Sequence, residues 1–220
     1  MTAGSPANDT RSRLLDTALK LFSERGLEGT SLQMIADELG VTKAAVYYHF
    51  KTKDEIAEAV AAPALQELDQ IIDEARTKRS RGAQIDHALA GFVDLIVRQR
   101  TLVGLFHSDP GIQRVINRTW QAPSGEGLKA KMRTVLAGAD PSLADSITVH
   151  VVFTGLAMAG GAPEYAGIDD APLRQHLLDV GRRLLGRPRR QHPGASRLER
   201  VPSQSPSSAR QRQRKGRQHP

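Results

Sequence analysis

The chain has no cysteine. That excludes disulfides, thiolate metal sites and a cysteine nucleophile. Aromatic residues make up only 4% of its 220 residues, so aliphatic side chains must supply most of any core. No run alternates apolar and polar residues as a half-buried strand would. Signatures of catalysis are missing too: there is no HExxH pair, no GxSxG elbow and no phosphate-binding glycine loop. The histidines (His49, His87, His107, His150, His176, His192, His219) show no metal-ligand spacing. The opening MTAGSPANDTRSRLL has no apolar segment of the kind a secretory signal needs. The longest apolar stretch, around Ile147 to Pro163, is interrupted by Thr148, His150 and Thr154 and reads as too short for a membrane span. These absences predict a soluble cytoplasmic protein that is not an enzyme and has no catalytic residue, metal, cofactor or membrane partner.

What is present is basic charge, unevenly placed. The formal net charge is +7. Arg187 to Pro220 hold ten basic residues and one acid, a net +9, so the remainder carries −2. The basic excess therefore belongs to a tail rich in Pro, Ser, Gln and Arg, a composition with little to bury that predicts disorder. Such a tail adds at most salt-sensitive, sequence-independent attraction to phosphates. Overall charge says nothing of the remaining residues' partners.

Residues 31–50, SLQMIADELGVTKAAVYYHF, carry the strongest signal. Ser31 is a helix N-cap, and Leu32, Ile35, Ala36 and Leu39 follow at helical spacing. Gly40 suits the left-handed stop of that helix. Val41 can fill the angle, Thr42 caps a second helix, and Val46 and Phe50 give it an inward face. Lys43, Ala44, Tyr47, Tyr48 and His49 are left pointing outward. Two tyrosines and a histidine on an outward face suit a helix lying in the major groove of duplex DNA. The competing reading is a plain helical hairpin whose tyrosines pack on a neighbour. The flanks fit a compact unit: Leu15, Ala18, Leu19 and Phe22 form one face of a helix over about 10–25, and Thr52 with Glu55 makes a capping box.

Ala18, Phe22, Gly26, Thr30-Ser31, Ile35-Ala36, Gly40-Val41, Val46-Tyr47-Tyr48-His49-Phe50 and Lys53 together resemble the N-terminal domain of the TetR family of transcriptional regulators. The resemblance runs over roughly 8–68. It implies an all-α protein: a three-helix helix-turn-helix domain at 8–68 (motif 31–50), a helical effector-binding and dimerisation domain at 69–186, and the basic tail at 187–220. It further implies a homodimeric repressor released from a palindromic double-stranded operator by a small-molecule effector. By position, Gln33 and Lys43 match the family's base-proximal contacts, and Thr42, Tyr47, His49 and Lys53 its phosphate contacts. Ala44 and Ala45 leave few base-reading side chains, which shifts specificity toward Gln33, Lys43 and DNA shape. Two other functions stay open: a ligand-independent DNA-binding protein, and an enzyme using a C-terminal cavity.

Past Lys53 the pattern remains helical. One helix is expected from Lys53 to about Lys78, broken or bent at Pro63. Others are expected over about 84–99, a short segment at 100–107, a helix begun by Asp109-Pro110 and ending near Trp120, one over 128–136, and one begun by Asp140-Pro141. A last helix is capped by Asp170. The helix through Ile147, Val151, Val152, Phe153 and Met158 is apolar nearly all round, and Gly155, Ala157, Ala159, Gly160 and Gly161 would admit a second backbone. The resemblance assigns it, with the last helix, to a dimer interface. It also makes Phe92, Phe106, His107, Trp120 and Phe153 candidates for an effector pocket, against the alternative that several are plain core.

Overall fold

The computed structural model describes residues 6–120 and 127–186. They form ten α-helices: α1 Pro6–Arg25, α2 Leu32–Leu39, α3 Lys43–His49, α4 Lys53–Arg76, α5 Arg81–Arg98, α6 Arg100–Ser108, α7 Pro110–Trp120, α8 Leu128–Ala137, α9 Leu143–Gly160 and α10 Asp170–Leu184. Among the described residues there is no strand. The tail at 187–220 lies outside them.

Two apolar clusters organise the helices. The first joins Leu14, Ala18 and Phe22 of α1 to Ile35, Val46, Phe50 and Ile56, and takes in Leu105, Ile112, Val115 and Ile116 from α6 and α7. The second gathers Leu68 and Ile72 of α4, the inward face of α5, Val135 and Leu136, and the buried faces of α9 and α10. α4 contributes to both, so it ties the N-terminal helices to the rest.

Local chemistry sets most helix ends, and several differ from the sequence expectation. α5 begins at Arg81, three residues before the expected start, behind the N-cap Ser80, whose hydroxyl accepts from the Ala83 amide at 3.2 Å. α9 begins at Ser142 rather than at Asp140-Pro141. Ser142 and Asp145 form a reciprocal capping box there, which satisfies two orphan amides where Asp140 would satisfy one. Asp169, not Asp170, sits at the N-cap of α10 and makes no side-chain cap bond. A 3-10 turn, Pro163–Tyr165, precedes it. α1 starts at Pro6, earlier than expected.

α4 runs unbroken through Pro63. Pro63 is exposed, so the carbonyl it deprives of a donor can turn to water. Burial of Ala61, Leu68, Ile72 and Ala75 on the other side offsets the cost of about 3 kcal/mol of a helical proline. Glu55 also departs from the expected box: its carboxylate accepts from the Lys51 amide at 2.8 Å, one residue beyond Thr52.

The small residues of α9 are used differently from the expectation. A Cβ on Gly161 would lie 2.5 Å from the Gly104 amide nitrogen, and one on Gly104 would lie 2.6 Å from the Gly161 carbonyl oxygen. The backbone that approaches here is the chain's own α6. Gly160 is filled by Ile96. Only Gly155, with nothing within 4 Å of a built Cβ, faces open space.

By length and composition α9 is apolar enough to cross a membrane, with a mean hydropathy of 1.4 over 18 residues, which corrects the sequence estimate. Val149, Val152, Phe153 and Leu156 on one side of it are buried in the core, as in the core helix of a folded domain. Ile147, Val151 and Met158 are exposed on the other.

Candidate functional site

The helix-turn-helix is assembled by three caps and one turn. The Ser31 hydroxyl accepts from the Met34 amide at 3.2 Å, and that of Thr42 from the Ala45 amide at 3.2 Å. Gly40 has φ 72° and ψ 32°, the left-handed geometry that a side chain would strain. The Val41 amide then bonds back to the Ala36 carbonyl at 3.0 Å. Val46, Ile35 and Ala36 are fully buried, which fixes α3 against α2. Thr30 is buried beneath the turn and donates to the Gly26 carbonyl at 2.8 Å.

This packing leaves one face of α3 largely exposed. Tyr48 is 80% exposed and Tyr47 45%, and Thr42, Lys43 and Ala44 are exposed. His49 is half-buried with its ring edge-on to Tyr48, centroids 5.2 Å apart. Lys51 donates to the Tyr47 carbonyl at 2.6 Å and lies 5.7 Å from the Tyr47 ring centre. The cation thus sits beside the exposed ring.

Two of the predicted contacts are engaged elsewhere. The Gln33 amide donates to Asp37 at 2.7 Å. The Lys53 ammonium lies 2.8 Å from the Glu28 carboxylate. Glu28 also meets Arg114 of α7 at 3.0 Å. Its pKa is lowered from the usual 4.5, first by the Lys53 hydrogen bond and then by that of Arg114.

α7 reaches the N-terminal helices at two further points. Arg118 pairs with Asp54, at the start of α4, at 2.7 Å. Asp109 caps α7 at the Ile112 amide, 2.9 Å, and its other oxygen accepts from the Leu27 amide, 2.8 Å. Sequence reasoning found the Asp109 cap but not its second partner. Glu28, Arg114 and Arg118 were not singled out at all.

The opposite side of α7 faces a cavity of about 700 Å³, lined by Gln113, Ile116 and Asn117 of that helix. Phe92, Phe106, His107 and Phe153 line the same cavity. Phe92 and Phe153 pack with their rings tilted by 42° and centroids 4.4 Å apart. Trp120 ends α7, and its side chain is outside the described ones. His107 Nε2 is buried with no hydrogen-bond partner, and burial lowers the imidazole pKa from its usual 6.5. The ring is therefore neutral near pH 7. Among the described residues no group of three acidic or histidine side chains could hold a metal ion.

Comparison with known proteins bears on this geometry. A family model described as "Bacterial regulatory proteins, tetR family" matches residues 14–60, which contain α2, α3 and their buried support. Residues 14–60 form a tetR-family domain. The chain is similar to the HTH-type transcriptional regulator AcrR of Shigella flexneri, 50% identical over 50 residues, 23% of each chain. It is also similar to the biofilm operon icaADBC HTH-type negative transcriptional regulator IcaR of Staphylococcus aureus, 39% identical over 62 residues, 28% of this chain and 33% of IcaR. The matched segment thus spans a quarter to a third of these relatives.

The fold likeness extends well beyond the tetR-family domain. The ketosteroid regulator KstR2 of Mycobacterium tuberculosis superposes with a TM-score of 0.63 at 18% identity, covering 84% of this chain and 95% of KstR2. AmtR of Mycobacterium smegmatis gives 0.62 at 21%, covering 84% and 90%. The helical arrangement behind the tetR-family domain is therefore shared.

His107 gives a test of the cavity wall. A buried unsatisfied polar atom costs about 1–3 kcal/mol. His107→Leu is therefore expected to hold or raise stability at about pH 7.5, by up to about 2 kcal/mol. The folded pKa is depressed, so the parent's His107 contribution is complete above the unfolded value of 6.5 and is lost as pH falls through the folded value. The variant should lose less between about pH 7.5 and 5.5. Urea unfolding at both pH values checks this; a variant less stable by about 2 kcal/mol at both would mean that Nε2 has a partner.

Proposed function

We propose that the chain is a DNA-binding transcriptional repressor that acts as a homodimer and is released from a palindromic operator by a small molecule in the α7-lined cavity. The observation that carries the reading is the exposed Lys43-Ala44-Tyr47-Tyr48 face, held outward on a tetR-family domain by the buried Ile35, Ala36 and Val46. AcrR is a transcriptional regulator and IcaR a negative one, and both are similar to this chain over that domain. Residues 8–68 serve as the reading head and 69–186 as the effector and dimer unit.

Within this reading Lys43 and Gln33 face base edges, while Thr42, Tyr47, His49 and Lys53 hold phosphates. Gln33 and Lys53 exchange their present partners, Asp37 and Glu28, for DNA. The dimer forms through α9 and α10, whose outer faces expose Ile147, Val151, Met158, Val180 and Leu184. Two reading heads must then sit about 34–36 Å apart to enter successive major grooves.

α7 couples the cavity to that spacing. A ligand pressing on Gln113, Ile116 and Asn117 acts on the helix that holds Glu28, Asp54 and the Leu27 amide. A ligand that prefers a different placement of α7 lowers operator affinity by its differential affinity for the two states.

Footprinting the purified protein on the DNA flanking its own gene tests the proposal. The expected result is one protected inverted repeat with half-site centres about 10 base pairs, or a multiple of a helical turn, apart. Uniform protection without a preferred sequence would favour a ligand-independent architectural protein instead.

A further inference from the structure

The cations around the helix-turn-helix are of two kinds. Lys20 is matched by Glu38 at 2.7 Å and Lys53 by Glu28 at 2.8 Å. Each must break an ion pair before it can serve another anion. Arg11 of α1 is different. It is exposed, and its guanidinium carbon lies 5.2 Å from the centre of the Phe50 ring. Among the described residues it meets no carboxylate. An aromatic face attracts a cation without cancelling its charge. Arg11 is therefore held in place and keeps its full charge for an outside anion.

Phe50 fixes where that charge stands. Its side chain is buried, and its amide closes α3 on the Val46 carbonyl at 3.0 Å. Arg11 thus sits beside the C-terminal end of α3, the end that carries Tyr47 and His49. Lys51 stands at the same end, its ammonium on the Tyr47 carbonyl at 2.6 Å. We propose that Arg11 holds a phosphate of the DNA strand that passes this end of α3, with the Phe50 ring orienting the guanidinium. This rests on the DNA-binding reading above and adds to it a contact made from α1. A guanidinium suits a phosphodiester because its planar fork reaches two oxygens at once. A phosphate carries no base information, so the contact strengthens binding to every sequence.

The test titrates the full chain, over a range of salt, with two duplexes. One is recovered by binding-site selection with the parent protein and the other has random sequence. Arg11→Gln keeps an aliphatic stem over Phe50 and removes the charge. It is expected to weaken both duplexes about tenfold at low salt and to lower the salt slope by about one per bound protomer. Arg11→Lys keeps the charge and should keep the slope, while losing about threefold in affinity with the planar fork. Arg13→Gln changes an exposed residue two positions on, which does not share a helix face with Arg11; it should leave the slope close to the parent's. An Arg11→Gln protein with the parent's slope overturns the proposal, and a lowered melting temperature alongside would show that Arg11 only covers Phe50. An equal fall in slope from Arg13→Gln overturns it too, as a diffuse effect of charge. So does a loss confined to particular bases, which would place Arg11 on base edges. A parent that selects no sequence would sink the regulator reading, while the difference in slope between Arg11→Gln and Arg13→Gln would still decide the contact.

Discussion

Val151→Arg is expected to convert the proposed dimer to a monomer and to weaken operator binding by about a hundredfold or more, since a single head would read only half the site. Val151 is 55% exposed and Ile147 53%, and with Gly155 and Met158 they lie at spacings of four and three on one side of α9. Val180 and Leu184 extend this apolar surface from α10. An exposed apolar face of this kind fits the proposed interface. In a two-fold dimer the same face meets itself, so an arginine at 151 would confront its copy as well as lose the apolar burial. Val151→Ala, which removes only area, should weaken the dimer without abolishing it. Light scattering and DNA titration check the pair. A Val151→Arg protein that stays dimeric and binds the operator normally would place the interface elsewhere.

The reading head should divide into two classes of contact. Tyr47→Ala is expected to weaken binding to every sequence, because a phosphate contact carries no base information. Lys53→Ala should do the same and lower the salt slope by about one, the signature of one lost phosphate ion pair. Lys53 must first leave Glu28, which holds it at 2.8 Å, so Glu28→Gln should tighten DNA binding in the same assay. Lys43→Ala and Gln33→Ala should instead relax the preference at individual base positions, by about 1–3 kcal/mol each. Binding-site selection on these variants decides. A uniform loss across all of them, with preference unchanged, would remove the base-reading roles.

The motif was legible because its determinants are local. Ser31, Gly40, Thr42 and Thr52 each act within four residues of their own position, and Val46 and Phe50 announce the inward face by spacing alone. The same locality made the Asp109 cap visible. Where two local signals competed, the choice was not local: Asp140-Pro141 lost to the Ser142–Asp145 box, and Pro63 was overridden by the packing of α4 on both sides of it. Gly160 and Gly161 looked like room for a partner, yet they admit Ile96 and the backbone of α6.

What links cavity to reading head was invisible in the sequence. Arg114 and Glu28 are 86 residues apart, and Arg118 and Asp54 are 64 apart. No periodicity connects such pairs, and each residue alone reads as an ordinary surface charge. The basic tail and the side chain of Trp120 lie outside the described residues.

The central claim is that this chain reads DNA as a symmetric dimer through the face of α3. It is tested most directly by the mass and sequence dependence of the protein–DNA complex, measured by light scattering on the protected fragment and on a half-site duplex. The account predicts two protomers on the inverted repeat, no stable complex on the half-site at the same concentration, and loss of the complex in Tyr47→Ala. A single protomer bound equally well to both duplexes, or a complex indifferent to Tyr47, would contradict it.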